Sequence, residues 1–265
     1  MKTALLVFAL MSYGVVYSQV QESCQVTTPP MIDGKMDDWQ GDWKTDEDSK
    51  FQYNVCFDAE NLYVRVKTSD EMNQGKMGRF GFTVWLDANG KKKRKLGLKY
   101  PTPTGRDFST LPHNQGQTEN QNRDIARTEM RRNLIKDTEV LELIGLAKEN
   151  VVSSRVGLMN GIEVIIVMDE TGAYVYEAKI PFKAYRLSKA SIPVLGVGFE
   201  TGKLEAQKAG GTSGGGGQRQ GGSGGHGGSR GYGGSGYGGG SRQGGSARYS
   251  EMQKAASLWV SVKLN

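Results

Sequence analysis

Apolar and polar residues alternate with a two-residue period in the segment from Phe51 to Val66. Such alternation is typical of antiparallel strands that bury one face. Asp58, Glu60 and Asn61 interrupt the pattern with residues that favour turns. The sequence therefore predicts a β-hairpin, whose buried positions are Phe51, Tyr53, Val55, Phe57, Leu62, Val64 and Val66.

Similar short alternating segments recur along the rest of the chain, separated by turn residues. Helix is predicted only for Glu129–Lys136 and for a turn at Phe182–Leu187. Many short strands with turns between them predict an all-β fold, an antiparallel jelly-roll-like β-sandwich. The further predicted strands are Arg79–Asp87, Leu96–Tyr100, Val140–Leu146, Val151–Met159, Gly161–Met168, Tyr174–Ile180, Val194–Glu200 and Leu258–Leu264.

Two segments interrupt this pattern. Residues 101–128 are polar with few apolar anchors, and we expect a long loop there. More than half of the chain's 38 glycines lie between Gly210 and Gly245, so residues 209–248 are expected to be a disordered Gly-rich insertion. The alternating segment Ser257–Leu264 follows it, which makes the glycine-rich segment a loop insertion between strands rather than a tail.

The N-terminus has the pattern of a secretory signal peptide. Lys2 precedes a short apolar stretch, and Ser18 is a small residue suited to cleavage. We expect residues 1–18 to be removed and residues 19–265 to form a single β-sandwich binding domain. The expected location is therefore outside the cytoplasm: periplasmic, cell-surface or secreted. Later apolar runs are too short to predict a membrane span.

Charge and cysteine content add two expectations. The formal net charge is +6, and much of the basic excess lies locally at Lys91–Lys95 and around Arg131, so the sequence does not indicate a nucleic-acid partner. The two cysteines, Cys24 and Cys56, lie in a chain expected to meet an oxidising compartment. A disulfide between them is predicted, and two separate buried thiols are the alternative.

Enzymatic motifs are missing from the sequence. His113 and His226 are the only histidines, and they lie in the polar loop and in the glycine-rich insertion. HExxH and CxxC do not occur. Glu163 and Glu177 lie on neighbouring predicted strands and are interpreted as outward-facing residues. We predict no catalytic residue and a protein that is not an enzyme.

Five segments, in this order, resemble the family 9 carbohydrate-binding modules, within the wider DOMON-like β-sandwich superfamily. The segments are IDGKMDDW (32–39), DAENLYVRVKTSD (58–70), FTVWLDANG (82–90), AYVYEAKIPF (173–182) and LWVSVKL (258–264). The resemblance implies a sandwich without catalytic residues that binds a poly- or oligosaccharide between aromatic side chains. It also implies structural calcium in some members and haem in some distant relatives.

Tryptophans are the candidate ligand contacts, since flat aromatic rings stack on the C–H faces of sugars. Trp39 lies within the first motif and is expected to be structural. Trp43, Trp85 and Trp259 are the predicted ligand-binding residues, and burial in the core is the alternative for Trp85 and Trp259. No pair of tryptophans can be assigned to a sugar sandwich from the sequence.

No cofactor is firmly implied. Asp87 and Asn89 are oxygen ligands suited to calcium, although a hairpin turn uses the same residues and is the more common outcome. The predicted function is that of an exported, non-catalytic carbohydrate-binding protein. One alternative is a structural or surface-interaction protein without a sugar site, and a haem-binding redox protein is a more distant one. No defined protein partner is indicated.

Overall fold

The computed structural model describes residues 20–21, 24–35, 37–102, 120–136, 140–146, 151–152, 160–205 and 242–264. The expected signal peptide, residues 103–119 of the polar loop, and residues 206–241 of the glycine-rich segment lie outside the described residues. His113 and His226 lie outside them as well.

Thirteen strands and three α-helices are found in the described part of the chain. The helices are α1 (Glu71–Phe80), α2 (Asn120–Ile135) and α3 (Arg242–Met252). The strands are β1 (Val20–Gln21), β2 (Cys24–Gln25), β3 (Lys44–Asp46), β4 (Phe51–Phe57), β5 (Asn61–Thr68), β6 (Phe82–Asp87), β7 (Leu96–Lys99), β8 (Glu142–Ile144), β9 (Val151–Val152), β10 (Glu163–Met168), β11 (Tyr174–Pro181), β12 (Val194–Thr201) and β13 (Ser257–Lys263).

The strands form two sheets. Sheet A has the order β1-β13-β12-β6-β7-β8-β9, and sheet B has the order β10-β11-β5-β4-β2, with β3 also paired to β4. Pairing is antiparallel except at two edges, where β1 runs parallel to β13 and β2 runs parallel to β4. The predicted all-β sandwich is therefore confirmed, with parallel pairs added by the N-terminal strands.

The main core lies between the inner faces of the two sheets. Phe82 of sheet A contacts Phe51 and Tyr176 of sheet B, with ring centroids 5.7 Å and 4.9 Å apart. The predicted hairpin is β4 and β5, and its alternating positions point into this core. Phe51, Val55, Phe57, Leu62, Val64 and Val66 are fully buried, and Tyr53 is partly buried.

Helices account for most differences from the predicted elements. α1 occupies a stretch for which no element was predicted and also the start of the strand predicted at Arg79–Asp87, so β6 begins at Phe82 instead of Arg79. α2 begins at Asn120, inside the segment expected to be a loop to residue 128. α3 begins at Arg242, so the last residues of the expected disordered insertion are helical.

Smaller differences concern strand lengths. The strand predicted at Val140–Leu146 is limited to β8, and of the strand predicted at Val151–Met159 only β9 lies within the described residues. Phe182–Tyr185 forms the predicted turn as a 3₁₀ helix. None of the described helices is long and apolar enough to cross a membrane.

The predicted disulfide between Cys24 and Cys56 is confirmed. The two residues are register partners in the parallel pair β2 and β4, with Cα atoms 4.4 Å apart. Cys56 also belongs to a small second core with Val26, Trp39 and Tyr63. This second core lies between the outer face of sheet B and a covering segment, residues 26–35 and 37–43, called the N-terminal cover below.

Candidate functional site

The outer face of sheet A carries a row of alternating tryptophan and glycine residues. Trp259 of β13 is the register partner of Gly198 in β12. Gly198 is also the register partner of Trp85 in β6, and Trp85 is that of Gly97 in β7. Since the four residues are directly opposite one another, their side chains share one face of the sheet. Trp259, Gly198, Trp85 and Gly97 are called the tryptophan row below.

Both glycines are required by the way the indole rings lie. A Cβ atom on Gly198 would come within 2.7 Å of the Trp259 ring, and one on Gly97 within 2.8 Å of the Trp85 ring. Each indole therefore lies across the backbone of the next strand, with one ring face against glycine. Trp85 and Trp259 remain partly exposed, so the accessible surface lies on the ring faces directed away from the sheet.

The two rings lie side by side rather than face to face. Trp259 leans from β13 toward β12, and Trp85 leans from β6 toward β7, so both lean in the same direction across the sheet. One strand separates the tryptophans, which places their Cα atoms about 9.5 Å apart. The arrangement is a flat platform with two aromatic contacts.

Polar side chains flank this platform. The neighbouring register row on the same face contains Ser257, Glu200, Thr83 and Lys99. The Glu200 carboxylate accepts hydrogen bonds from the Trp85 indole N–H at 2.7 Å and from Arg94 Nε at 2.6 Å. These bonds fix the Trp85 ring. A cavity of about 410 Å³ next to it is lined by Lys99, Arg94, Glu200 and residues of the 202–205 segment.

Trp43, the third predicted ligand contact, lies on the opposite side of the sandwich. It is partly exposed in the N-terminal cover, and the guanidinium of Arg65 lies 4.3 Å from its ring centroid. Arg65 also lies 5.2 Å from the Trp39 ring, so the guanidinium is held between two indoles. Trp39 is 8% exposed, as expected for a structural residue.

A row of polar residues on the outer face of sheet B binds the N-terminal cover. Asn54 donates to the backbone carbonyls of Gln40 and Asp42, and Arg65 donates to that of Gly41. Glu177 completes this row by accepting from the Gly34 N–H at 2.8 Å. The cover thus obtains partners for its backbone groups from side chains of the sheet.

The burial of Glu177 corrects part of its interpretation as an outward-facing residue. Glu177 points outward from the main core as predicted, but the N-terminal cover buries it completely, whereas Glu163 is exposed and pairs with Lys179. Burial raises the pKa of Glu177 to about 7; the Gly34 N–H opposes this shift, and the Asp33 and Asp38 carboxylates add to it. The second carboxylate oxygen of Glu177 has no hydrogen-bond partner among the described residues.

Asp87 and Asn89, the predicted calcium ligands, form a turn. The Asp87 carboxylate accepts from the backbone N–H groups of Asn89 and Lys93, both at 3.0 Å. Burial of Asp87 opposes its ionisation, but these backbone donors outweigh the burial and lower its pKa. Among the described residues, no group of three or more His, Cys, Asp or Glu could hold a metal ion. Calcium binding at this turn stays a prediction.

The structure brings together two of the three predicted tryptophans and adds residues that sequence reasoning missed. Gly97, Gly198, Glu200 and Arg94 were not among the candidates. The sequence did contain a signal for Gly198. Gly196 and Gly198 occupy alternate positions of β12, and the positions between and beside them are large apolar residues that point to the other face. Glycine on one face of a strand indicates close approach by a neighbouring group.

Comparisons with known proteins give distant structural similarities. No protein-family model and no curated protein matches the chain. Among solved structures, it is similar to a carbohydrate binding module family 9 from Caldicellulosiruptor kristjanssonii in complex with glucose, with 15% identity, 68% of this chain and 77% of the other covered, and a TM-score of 0.33. It is also similar to a family 9 module from the same organism in complex with cellotriose, with 14% identity, 68% of this chain and 76% of the other covered, and a TM-score of 0.31. At these values no residue role is transferred from either structure.

Proposed function

We propose that this protein is a non-catalytic, exported carbohydrate-binding protein and that its binding surface is the tryptophan row. The observation that carries the proposal is the placement of two partly exposed indoles on one sheet face, each lying flat on a glycine. Rigid, flat aromatic faces suit the C–H faces of sugar rings, which are apolar. Neighbouring hydroxyl, carboxylate and ammonium groups suit the sugar hydroxyls.

The spacing of the tryptophans favours an extended chain as the ligand. Two rings about 9.5 Å apart and leaning the same way contact two different sugars of one chain rather than the two faces of a single sugar. The polar row runs parallel to the tryptophan row and can bind hydroxyls along the same chain. A linear polysaccharide segment with flat rings, as in β-1,4-linked chains, has the shape that fits.

Binding measurements with substituted tryptophans test the proposal. Titration against cello-oligosaccharides of increasing length, together with a panel of plant and algal polysaccharides, should identify a ligand. Trp85→Ala and Trp259→Ala should each weaken binding to it by roughly tenfold, corresponding to about 1.4 kcal/mol for a lost ring contact. Trp43→Ala is the matched control, because Trp43 lies in the N-terminal cover, on the opposite side of the sandwich, and already contacts Arg65.

Glycine substitutions give a second test that leaves both rings present. Gly198→Ala should displace the Trp259 ring and weaken binding, because the new Cβ would lie 2.7 Å from it. Gly196→Ala, two residues earlier on the same strand face, meets its nearest atoms at 3.4 Å and should bind normally. The absence of any binding at millimolar sugar would contradict the proposal and favour a structural or surface-interaction role. Binding that depends on Trp43 instead would contradict the assigned surface.

A further inference from the structure

All three helices line a second, open cavity, called the helical pocket below. Its volume is about 700 Å³, and it shares no lining residue with the tryptophan row. α1 and α2 are joined by the ion pair of Glu71 with Arg131, and α1 and α3 by the ion pair of Lys76 with Glu251 at 3.8 Å. The volume lies within the range of pockets that hold small organic ligands.

Much of the pocket wall is apolar and adaptable. Three methionines and a leucine contribute to it, and Tyr249 adds a ring that is 53% exposed. Unbranched methionine side chains adjust to ligands of different shape. Gly75 of α1 also lines the pocket, and a Cβ atom there would meet nothing within 4 Å. The apolar lining residues are Met72, Met130, Leu134, Tyr249 and Met252.

The charged residues of the pocket leave an excess of positive charge. Four arginines line it, namely Arg79, Arg127, Arg131 and Arg248, against two carboxylates, Asp70 and Glu71. Both carboxylates already have partners, because Asp70 pairs with Lys50 and caps α1, and Glu71 pairs with Arg131. Arg127 pairs with Asp124 at 3.6 Å.

Arg79 and Arg248 are left without an ion pair among the described residues. The Nε–H groups of Arg79 and Arg131 are buried and have no hydrogen-bond partner there. A buried donor on a charged group is costly unless an acceptor is present. Guanidinium groups bind carboxylate, sulfate and phosphate oxygens in a bidentate geometry. An anion in the pocket would pair with Arg79 and Arg248 and balance the charge.

We propose that the helical pocket binds a small anionic amphiphile, a molecule with a carboxylate or sulfonate head and an apolar body. The head contacts Arg79 and Arg248, and the body lies against Met72, Met130, Met252 and Leu134. This activity is separate from carbohydrate binding and does not depend on it. A purely apolar ligand would leave the arginines unpaired, and a cationic one would be repelled by them.

Fluorescence of 8-anilinonaphthalene-1-sulfonate with the purified full chain tests the proposal. The dye should bind with a stoichiometry of one, and decanoate below its micelle concentration should displace it. Decyltrimethylammonium, which has the same tail length and the opposite charge, should not. Equal displacement by the cation would overturn the proposal, because it would indicate adsorption to apolar surface alone. Absence of saturable dye binding would overturn it as well.

Substitutions locate the site. Arg79→Gln and Arg248→Gln should each weaken decanoate binding by about tenfold, because each variant loses a charge-assisted hydrogen bond to the carboxylate head. Arg132→Gln is the matched control, since Arg132 lies on α2, is exposed and does not line the pocket. Gly75→Met should block the pocket. Thermal melting of each variant checks that it is folded, and unchanged decanoate binding by folded Arg79→Gln and Gly75→Met variants would overturn the assignment. The variant Trp259→Ala should bind decanoate normally.

Discussion

Glu177 lies in the middle of β11 and anchors the N-terminal cover by accepting the Gly34 N–H. Its cross-strand neighbour Arg65 donates to the Gly41 carbonyl, and the two side chains do not form an ion pair with each other in the described structure. Each therefore serves a different part of the cover. Burial favours the protonated form of the Glu177 carboxylate, and the nearby Asp33 and Asp38 carboxylates add to the effect, which explains the raised pKa.

We expect Glu177 to make stability fall as pH rises through the weakly acidic range. Its pKa is about 7 in the folded protein and 4.5 for the unperturbed group, so between these values the folded state holds a proton that the unfolded state has lost. The contribution is complete below about pH 4.5 and decreases by about 3 kcal/mol up to pH 7. In Glu177→Gln this decrease should disappear from urea unfolding curves measured at pH 4.5 to 8.

Glu163→Gln is the control for this measurement, because Glu163 lies on the adjacent strand and is exposed. It should keep the wild-type pH dependence. Asp169 acts in a different range: hydrogen bonds from Lys67 and Thr171 outweigh its burial and lower its pKa, so its contribution is lost only below pH 4. An identical pH dependence in wild type and Glu177→Gln would contradict the assignment.

Among the elements, α1 best illustrates a helix formed by its surroundings. Asp70 caps its N-terminus by accepting the Asn73 N–H at 2.9 Å. Its buried face is largely polar: Asn73 donates to the Ser49 carbonyl, and Gln74 donates to the carbonyls of Thr68 and Gly172. Hydrophobic periodicity cannot reveal such a helix, because Met77 is the one apolar residue among the four that it buries, and the others, Asn73, Gln74 and Lys76, are polar.

Two glycines of α1 should respond oppositely to alanine. Gly75→Ala should stabilise the protein by about 0.5–1 kcal/mol, since the position is open and alanine favours helix. Gly78→Ala should destabilise it by about 1–3 kcal/mol, because the new Cβ would lie 2.6 Å from Leu134 of α2. Chemical denaturation of both variants measures the difference. Equal effects would mean that α1 and α2 do not pack closely at Gly78.

For the molecule as a whole, the N-terminal segment connects the two layers of the sandwich. β1 extends one edge of sheet A, β2 extends an edge of sheet B, and the N-terminal cover then crosses the outer face of sheet B. The disulfide of Cys24 and Cys56 fixes this path at β2. The two proposed ligand surfaces lie elsewhere, on the outer face of sheet A and among the helices.

Removal of the disulfide should lower the free energy of unfolding by about 3–4 kcal/mol, because the bond closes a loop with a sequence separation of 32 residues. Cys24→Ser/Cys56→Ser and wild type with dithiothreitol should unfold at the same, lower urea concentration. The double variant should be insensitive to dithiothreitol. Carbohydrate and decanoate binding should persist below the melting temperature, since neither surface includes these residues.

The strands and the disulfide could be predicted from the sequence because each depends on a local pattern or on few alternatives. In β4 and β5 every second residue is apolar, so the buried face could be assigned residue by residue. Two cysteines allow only one intramolecular pairing. Trp85 and Trp259 could be named as candidates for the same local reason, since both alternate with core residues and point to the other face.

Tertiary structure decided which of these candidates belong together. Trp85 and Trp259 are separated by most of the chain, and only the strand order β13-β12-β6 makes them neighbours, with Gly198 between them. The burial of Glu177 depends on a cover contributed from 143 residues away. The local pattern determines which face of a strand a side chain lies on. Strand order and covering segments determine which residues that face contacts. Strand order and covering segments depend on long-range contacts, and no local pattern encodes such contacts.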